Sequence, residues 1–300
     1  MNVGYEYRER IGAPGVGMSV LSYLSWRYPH TTRQIWEERI LEGHVLLDGF
    51  PPEPHLRVTA GQLLIWRRPP WEEPYAPLSF AILYRDEHLL GVLKPSGLPT
   101  LPGGGYLEHT LLALVRQKFP DASPVHRIGR PTTGLVLCVR TAQAANLVSC
   151  AWARREIRKF YRALVRGHPW QERFSVDVPI GRIAHRVPFF KAHAAAADGR
   201  HALSHVRVLE HRQDTSLVEV EIVTGRPHQA RIHLAAAGHP LAGDLFYGAG
   251  GAPISGTRAL PGDGGLFLHA HRLILNHPLS GEPLELEAPP PRELRATGER

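Results

Sequence analysis

A chain of 300 residues with 43% apolar and 21% charged side chains has material for one sizeable core and a second, smaller one, which excludes a disordered or low-complexity protein. No run of about eighteen apolar residues occurs, so no membrane-spanning helix is expected, and the charged opening Met1–Arg10 lacks the apolar stretch of a secretory leader. The net charge of +7, carried far more by arginine than by lysine, points to a polyanionic partner. Cys138 and Cys150 are the two cysteines, too few for a disulfide scaffold; they fit a reducing cytoplasm, and Cys138 reads as core.

In chain order, Val20–Tyr28 is apolar at helical spacing, and Thr31-Thr32 can cap a second helix over Arg33–Glu42 carrying Ile35, Trp36 and Ile40. Gly43 suits the end of that helix. Val45–Leu47 reads as a strand entering an Asp48-Gly49 turn, and Leu63–Trp66 as its return. The proline-dense stretch Arg67–Pro74 resists helix and central strand alike, so the chain divides into residues 1–70, a linker at 71–77 and a larger domain at 78–300.

In the larger part, Phe80–Tyr84 and Leu89–Leu93 flank the charged turn Arg85-Asp86-Glu87 and predict an antiparallel pair. Leu107–Phe119 has a helical stripe of Leu111, Leu112, Leu114 and Val115. Leu135–Val139 reads as a buried strand, Ala142–Arg155 as a helix, and Arg158–Val165 and Leu217–Val223 as half-buried strands. Pro227 placed near a helix start predicts a helix over Pro227–Ala237, and the glycine-rich Gly248–Gly265 predicts a loop. Mixed strands and helices with several antiparallel pairs indicate the α+β class.

Six short motifs then fall in a fixed order. They are Lys94-Pro95-Ser96-Gly97; His126-Arg127-Ile128-Gly129-Arg130-Pro131-Thr132-Thr133-Gly134-Leu135; Lys159-Phe160-Tyr161-Arg162-Ala163; Thr224-Gly225-Arg226-Pro227-His228-Gln229-Ala230-Arg231-Ile232-His233; Gly238-His239-Pro240-Leu241-Ala242-Gly243-Asp244; and Leu268-His269-Ala270 with His277-Pro278 and Ala288-Pro289. The set resembles that of the RluA-type pseudouridine synthases. The front of the chain resembles an S4 RNA-binding domain at Arg33, Ile40, Gly43, Val45, Asp48, Gly49 and Gly61, with Gln62 in place of that domain's usual Asp and no Arg opening the first helix.

The resemblance implies a mixed, largely antiparallel sheet with flanking helices, and an RNA partner, ribosomal or transfer RNA. It implies isomerisation of uridine to pseudouridine: the C1′–N1 bond breaks, the base turns, and it is rejoined through C5. No cofactor and no metal are implied, and a monomer is expected. The target base must leave its stack. By resemblance Arg127 fills the hole it leaves, Tyr161 packs on the base, and Arg231 pairs with the catalytic carboxylate. That carboxylate is the departure, because Gly129 stands where the family has Asp. Ile128, Arg130 and Pro131 supply no replacement, so Arg231 needs another acid or an anion, and Asp86, Asp121, Glu156 and Asp244 are the acids near motif segments. Arg33, Lys94, Arg130, Arg226, His228 and Gln229 are the expected RNA-binding residues.

Eighteen histidines raise the question of metal, but His201/His205 and His269/His271 lack further ligands at zinc-like spacing. No phosphate-gripping G-x-x-x-x-G-K-S/T loop is present. Two readings stand: an active synthase that draws its catalytic group from elsewhere, and a silent RNA-binding protein on the same fold. A DNA-binding regulator is weaker, since no helix with base-reading spacing stands out.

Overall fold

The computed structural model describes residues 1–184 and 191–299. Residues 185–190 and 300, which the sequence places in the larger domain, lie outside the described residues. The described chain forms two compact units, residues 1–73 and residues 74–184 with 191–299. None of the described helices is long and apolar enough to cross a membrane.

The first unit begins with a strand that the sequence did not announce, β1 (Tyr5–Arg10). Its alternating Glu and Arg side chains suit a sheet edge, where charge discourages pairing with another chain. α1 (Val20–Arg27) is capped by Ser19, whose Oγ accepts from the Ser22 amide at 3.1 Å. α2 (Arg33–Leu41) is capped in the same way by Thr32. β2 (Val45–Leu47) and β3 (Leu63–Arg68) complete an antiparallel sheet of order β1-β3-β2. Asp48 and Gly49 turn the chain with φ of 48° and 92°. The Asp48 carboxylate accepts from the Leu63 amide at 2.8 Å and from Gln62 Nε2 at 3.0 Å. Trp36, fully buried, meets Trp66 edge-on at 5.0 Å in the core of this unit.

The second unit opens with the hairpin β4 (Ala81–Arg85) and β5 (Leu89–Lys94). α3 (Leu111–Lys118), the two-residue β6 (Ser123–Pro124), β7 (Thr133–Val139), α4 (Ala142–Ala153) and β8 (Arg158–Arg166) follow. Next come β9 (Arg173–Asp177), β10 (Ile180–Ala184), β11 (Lys191–Ala195), β12 (Leu203–His211), β13 (Thr215–Ile222), α5 (Gln229–Ala236), β14 (Leu268–Asn276) and β15 (Pro283–Glu287). Among the described residues ten strands join one sheet in the order β4-β5-β7-β14-β8-β13-β12-β9, with β6 on β7 and β15 on β14. Only the β7–β14 contact is parallel among the described pairs of that sheet. The fold is α+β, as expected.

β7 is buried on both faces. Val136 and Cys138 pack with Leu111 and Val115 of α3, while Leu135, Leu137 and Val139 pack with Ala144 and Val148 of α4. Period-two alternation therefore sends the two helices to opposite sides of the sheet. α5 packs on Val218, Val220 and Ile222 and their neighbours. Tyr161 touches both the α3 core and the α5 core, so it marks where they meet. Gly134 makes the parallel junction possible: at φ 115°, a Cβ there would lie 2.2 Å from the Ala270 carbonyl oxygen.

Three expectations change. β8 is buried along most of its length rather than on one face, because β13 and β14 flank it and cores lie on both sides. The helix expected from Pro227 starts at Gln229, since His228 adopts the left-handed conformation at φ 56°, ψ 20° and breaks the run. α3 starts at Leu111, where Thr110 caps it.

Candidate active site

The site is a cleft of about 590 Å3 in the second unit, formed by the loop before β7, residues of β8, and the approach to α5. The loop is fixed from several directions. His126 Nε2 accepts from the Leu137 amide at 3.0 Å, and its ring stacks on Trp152 at 4.9 Å. Burial pushes His126 down to about 4, so it is a neutral peg. Thr100 Oγ1 donates to the Ile128 carbonyl at 2.9 Å, and Ser96 Oγ to the Pro131 carbonyl at 2.9 Å.

Lys94 lies underneath this loop rather than on it. It is fully buried, and Nζ donates to the carbonyls of Leu98 at 2.7 Å, Pro95 at 2.8 Å and Arg130 at 3.1 Å. All three ammonium donors are used. This corrects the expectation that Lys94 binds RNA: it joins the Lys94–Gly97 turn to the Arg127–Thr132 loop. Burial, then Arg130, lowers Lys94 to about 7.

Arg127, Gly129 and Arg130 follow on the cleft wall. Arg127 is exposed and makes no hydrogen bond or ion pair among the described residues. Arg130 Nη2 donates to the Gly262 carbonyl at 2.7 Å. A Cβ built on Gly129 would meet Thr132 Oγ1 at 3.3 Å and otherwise only Pro131 at 3.8 Å, so a side chain has room there.

Lys159 and Tyr161 stand two apart on β8 and face the cleft together. Burial raises the Tyr161 phenol to about 12, and its hydroxyl has no hydrogen-bond partner among the described residues. Lys159 Nζ lies 5.2 Å from the Trp152 ring, and burial followed by the Arg155 charge lowers its pKa. Neither Lys159 nor Trp152 was named as a site residue from sequence, although Lys159 opens the motif that carries Tyr161. The shared strand face with Tyr161 was the available signal for Lys159.

The third wall is the segment leading into α5. Gln229 Oε1 accepts from Thr224 Oγ1 at 2.7 Å and the Arg226 amide at 3.0 Å, while Nε2 donates to the Leu203 carbonyl and Ser204 Oγ. Its amide is saturated within the protein. Gln229 thus shapes the loop, which corrects its assignment as an RNA contact. Arg226 Nε donates to the His201 carbonyl at 3.0 Å. His228 shares a hydrogen bond of 2.8 Å between Nδ1 and the Tyr247 hydroxyl. Burial, then the Arg231 charge, pushes His228 down to about 3. Arg33 belongs to the first unit, where it is exposed and donates to Ser22 Oγ at 3.4 Å.

Arg231 has a partner after all. Its Nε and Nη2 donate to Asp244 Oδ2 and Oδ1, each at 2.7 Å, and Nη1 donates to the Pro261 carbonyl at 2.6 Å. Asp244 Oδ1 also accepts from the amides of Phe246 at 2.9 Å and Tyr247 at 3.1 Å. Burial opposes ionisation of Asp244, but these donors win and hold its carboxyl below the usual range. The side chain is 0% exposed, so Asp244 anchors Arg231 and offers no lone pair to the cleft. Asp86, Asp121 and Glu156 do not line the cleft either, and no carboxylate stands among the lining residues.

The four residues expected to carry chemistry, Arg127, Gly129, Tyr161 and Arg231, come together in this cleft from segments far apart in sequence. Residues 88–236 match the RNA pseudouridylate synthase family. An uncharacterized RNA pseudouridine synthase of Synechocystis sp. is 41% identical over 92% of this chain and 95% of its own length. RNA pseudouridine synthase 5 of Oryza sativa subsp. japonica is 35% identical over 88% and 81%. Ribosomal large subunit pseudouridine synthase D of Neisseria meningitidis is 33% identical over 92% and 76%. The solved structure of human RNA pseudouridylate synthase domain containing 1 covers 73% of this chain and 87% of its own at 28% identity, with a TM-score of 0.58. The chain belongs to the RNA pseudouridine synthase family.

Proposed function

We propose that the protein is an active RNA pseudouridine synthase of the RluA type that takes a uridine swung out of folded ribosomal or transfer RNA. The observation that carries this reading is the convergence of Arg127, Tyr161 and Arg231 around Gly129 in one cleft lined by cations. Swinging a base out of its stack costs a few kcal/mol. Arg127, exposed and without a hydrogen-bond or ion-pair partner among the described residues, takes the place the base leaves. The Tyr161 ring supports the extruded base, and Arg130 and Arg226 hold the phosphates beside it. The first unit serves as an S4-like module that grips structured RNA, with Arg33 on its exposed surface. The working form is a cytoplasmic monomer that needs neither metal nor cofactor.

Mass-resolved pseudouridine mapping tests this reading. Total RNA from cells lacking the protein is incubated with wild type and with Tyr161→Ala. Wild type is expected to add pseudouridine at defined positions, and Tyr161→Ala to lose about ten- to a hundredfold in rate, the worth of one ring stacked on a base. A specific observation favours a second reading, a silent RNA-binding protein: no carboxylate lines the cleft among the described residues. No turnover by wild type, with gain on Gly129→Asp, selects that reading.

A further inference from the structure

With Gly129 in place, a proton-accepting group must come from the cleft itself. Arginine keeps its proton under all working conditions. His126 Nε2 is occupied by the Leu137 amide. The hydrogen-bond pattern around His228 is different. The Tyr247 hydroxyl has one proton, and it donates that proton to the His193 carbonyl at 2.9 Å. A carbonyl cannot donate in return, so the 2.8 Å contact between His228 Nδ1 and the same hydroxyl requires the proton to sit on Nδ1. The neutral ring then carries its lone pair on Nε2, which has no hydrogen-bond partner among the described residues. His228 also holds a left-handed backbone at φ 56° immediately before α5, a conformation that costs a non-glycine residue energy and recurs at functional positions.

We propose that His228, its tautomer fixed by Tyr247, is the general base that replaces the missing carboxylate. This assignment rests on the reading of the protein as an active synthase. Nε2 removes the 2′ proton of the extruded nucleotide. The electrons of the C2′–H bond form a C1′=C2′ double bond, and the C1′–N1 pair leaves with uracil as its anion. The base turns. The imidazolium returns its proton to C2′ while C5 of the anion bonds to C1′. The proton on C5 passes through water to N1, and the product is an isomer of the substrate with nothing added or removed. The low pKa of His228 gives a base close in strength to an ordinary carboxylate, which has a pKa of about 4.

The test uses full-length protein on total RNA from cells lacking it, read by pseudouridine mapping. His228→Asn tolerates the left-handed backbone and places an amide N–H where Nδ1–H was, but has no Nε2. At saturating RNA it is expected to lose at least a hundredfold in rate. Gly129→Asp added to His228→Asn supplies a carboxylate, and free imidazole added to His228→Gly refills the ring site. Recovery by either route supports the assignment. Wild-type rates in His228→Asn overturn it and leave the proposed function standing. A loss restored by neither route marks His228 as a structural residue and also overturns it. No modification by wild type removes both the assignment and the reading beneath it.

Discussion

The two faces of the same strands treat arginine in opposite ways. On one side of β8 and β13, Lys159, Tyr161 and Ile222 line the cleft, whose cations stand without any lining acid. On the other side, Arg158, Phe160, Glu219 and Glu221 line a groove of about 510 Å3 together with Arg173, Arg207 and Arg272. There the acids alternate with the arginines. Arg158 Nε meets Glu221 at 2.8 Å, Arg207 meets Glu219 at 2.9 Å, and Arg272 meets Glu285 at 2.9 Å. Cation-lined clefts focus potential on an incoming polyanion, whereas paired surface charges cancel one another. The positive charge of the chain thus matters by where it is left unpaired, not by its total.

The comparison breaks most severely at Asp244. It is the buried acid that fixes Arg231 at the cleft, and Asp244→Asn leaves that guanidinium unpaired. Denaturant unfolding is expected to show a loss of about 3–5 kcal/mol. A loss below about 1 kcal/mol would mean that Arg231 finds another partner.

Acid sharpens the comparison through the two histidines of the cleft face. Folded His126 titrates at about 4 and His228 at about 3, against the ordinary 6.5. Below pH 6.5 the unfolded chain takes up protons that the folded chain refuses, so stability falls as pH drops. The fall runs from about pH 6.5 to the folded values, at about 1.4 kcal/mol per unit for each ring. Unfolding measured from pH 7 to pH 5 is expected to reveal it, and replacing His126 by a neutral residue is expected to flatten the slope.

Arg127→Ala is expected to weaken RNA binding about tenfold at low salt and to reduce the salt slope by about one. Arg207→Ala on the groove face is the contrasting variant. Its partner Glu219 keeps Arg272 at 3.7 Å, so stability is expected to change by less than about 1 kcal/mol and RNA affinity to stay within twofold. Equal losses for the two variants would show that both faces touch RNA.

Much of this was legible along the chain. The apolar run Leu135–Val139 announced β7, and the ordered motifs brought Arg127, Tyr161 and Arg231 to one place. The strands β1, β9 and β12 were missed because Arg, Glu and His interrupt their apolar alternation, and what makes them strands is pairing with distant segments. Lys94 and Gln229 were misread for a related reason. Both are polar, and sequence does not reveal that neighbouring carbonyls, amides and hydroxyls satisfy them completely. The left-handed turn at His228 was hidden by Pro227, which signalled an earlier helix start. The acid beside Arg231 was among the four named, but its selection depended on the turn that folds Asp244 back over α5.

β14 lies between β7 and β8 in the sheet, joined to β7 at His269–Thr133 and Ala270–Gly134. The loop bearing Arg127 and Gly129 leads into β7, and Tyr161 lies on β8, so the spacing of the two cleft walls is set by one of the last strands made. During synthesis the chain has to bring together segments more than a hundred residues apart before the cleft closes, a slow step by its topology. A nascent chain halted before Leu268 is therefore expected to carry every residue of the Arg127–Thr132 loop and of β8 yet modify no RNA. Assembly of this protein holds catalysis back until β14 slides into the middle of the sheet.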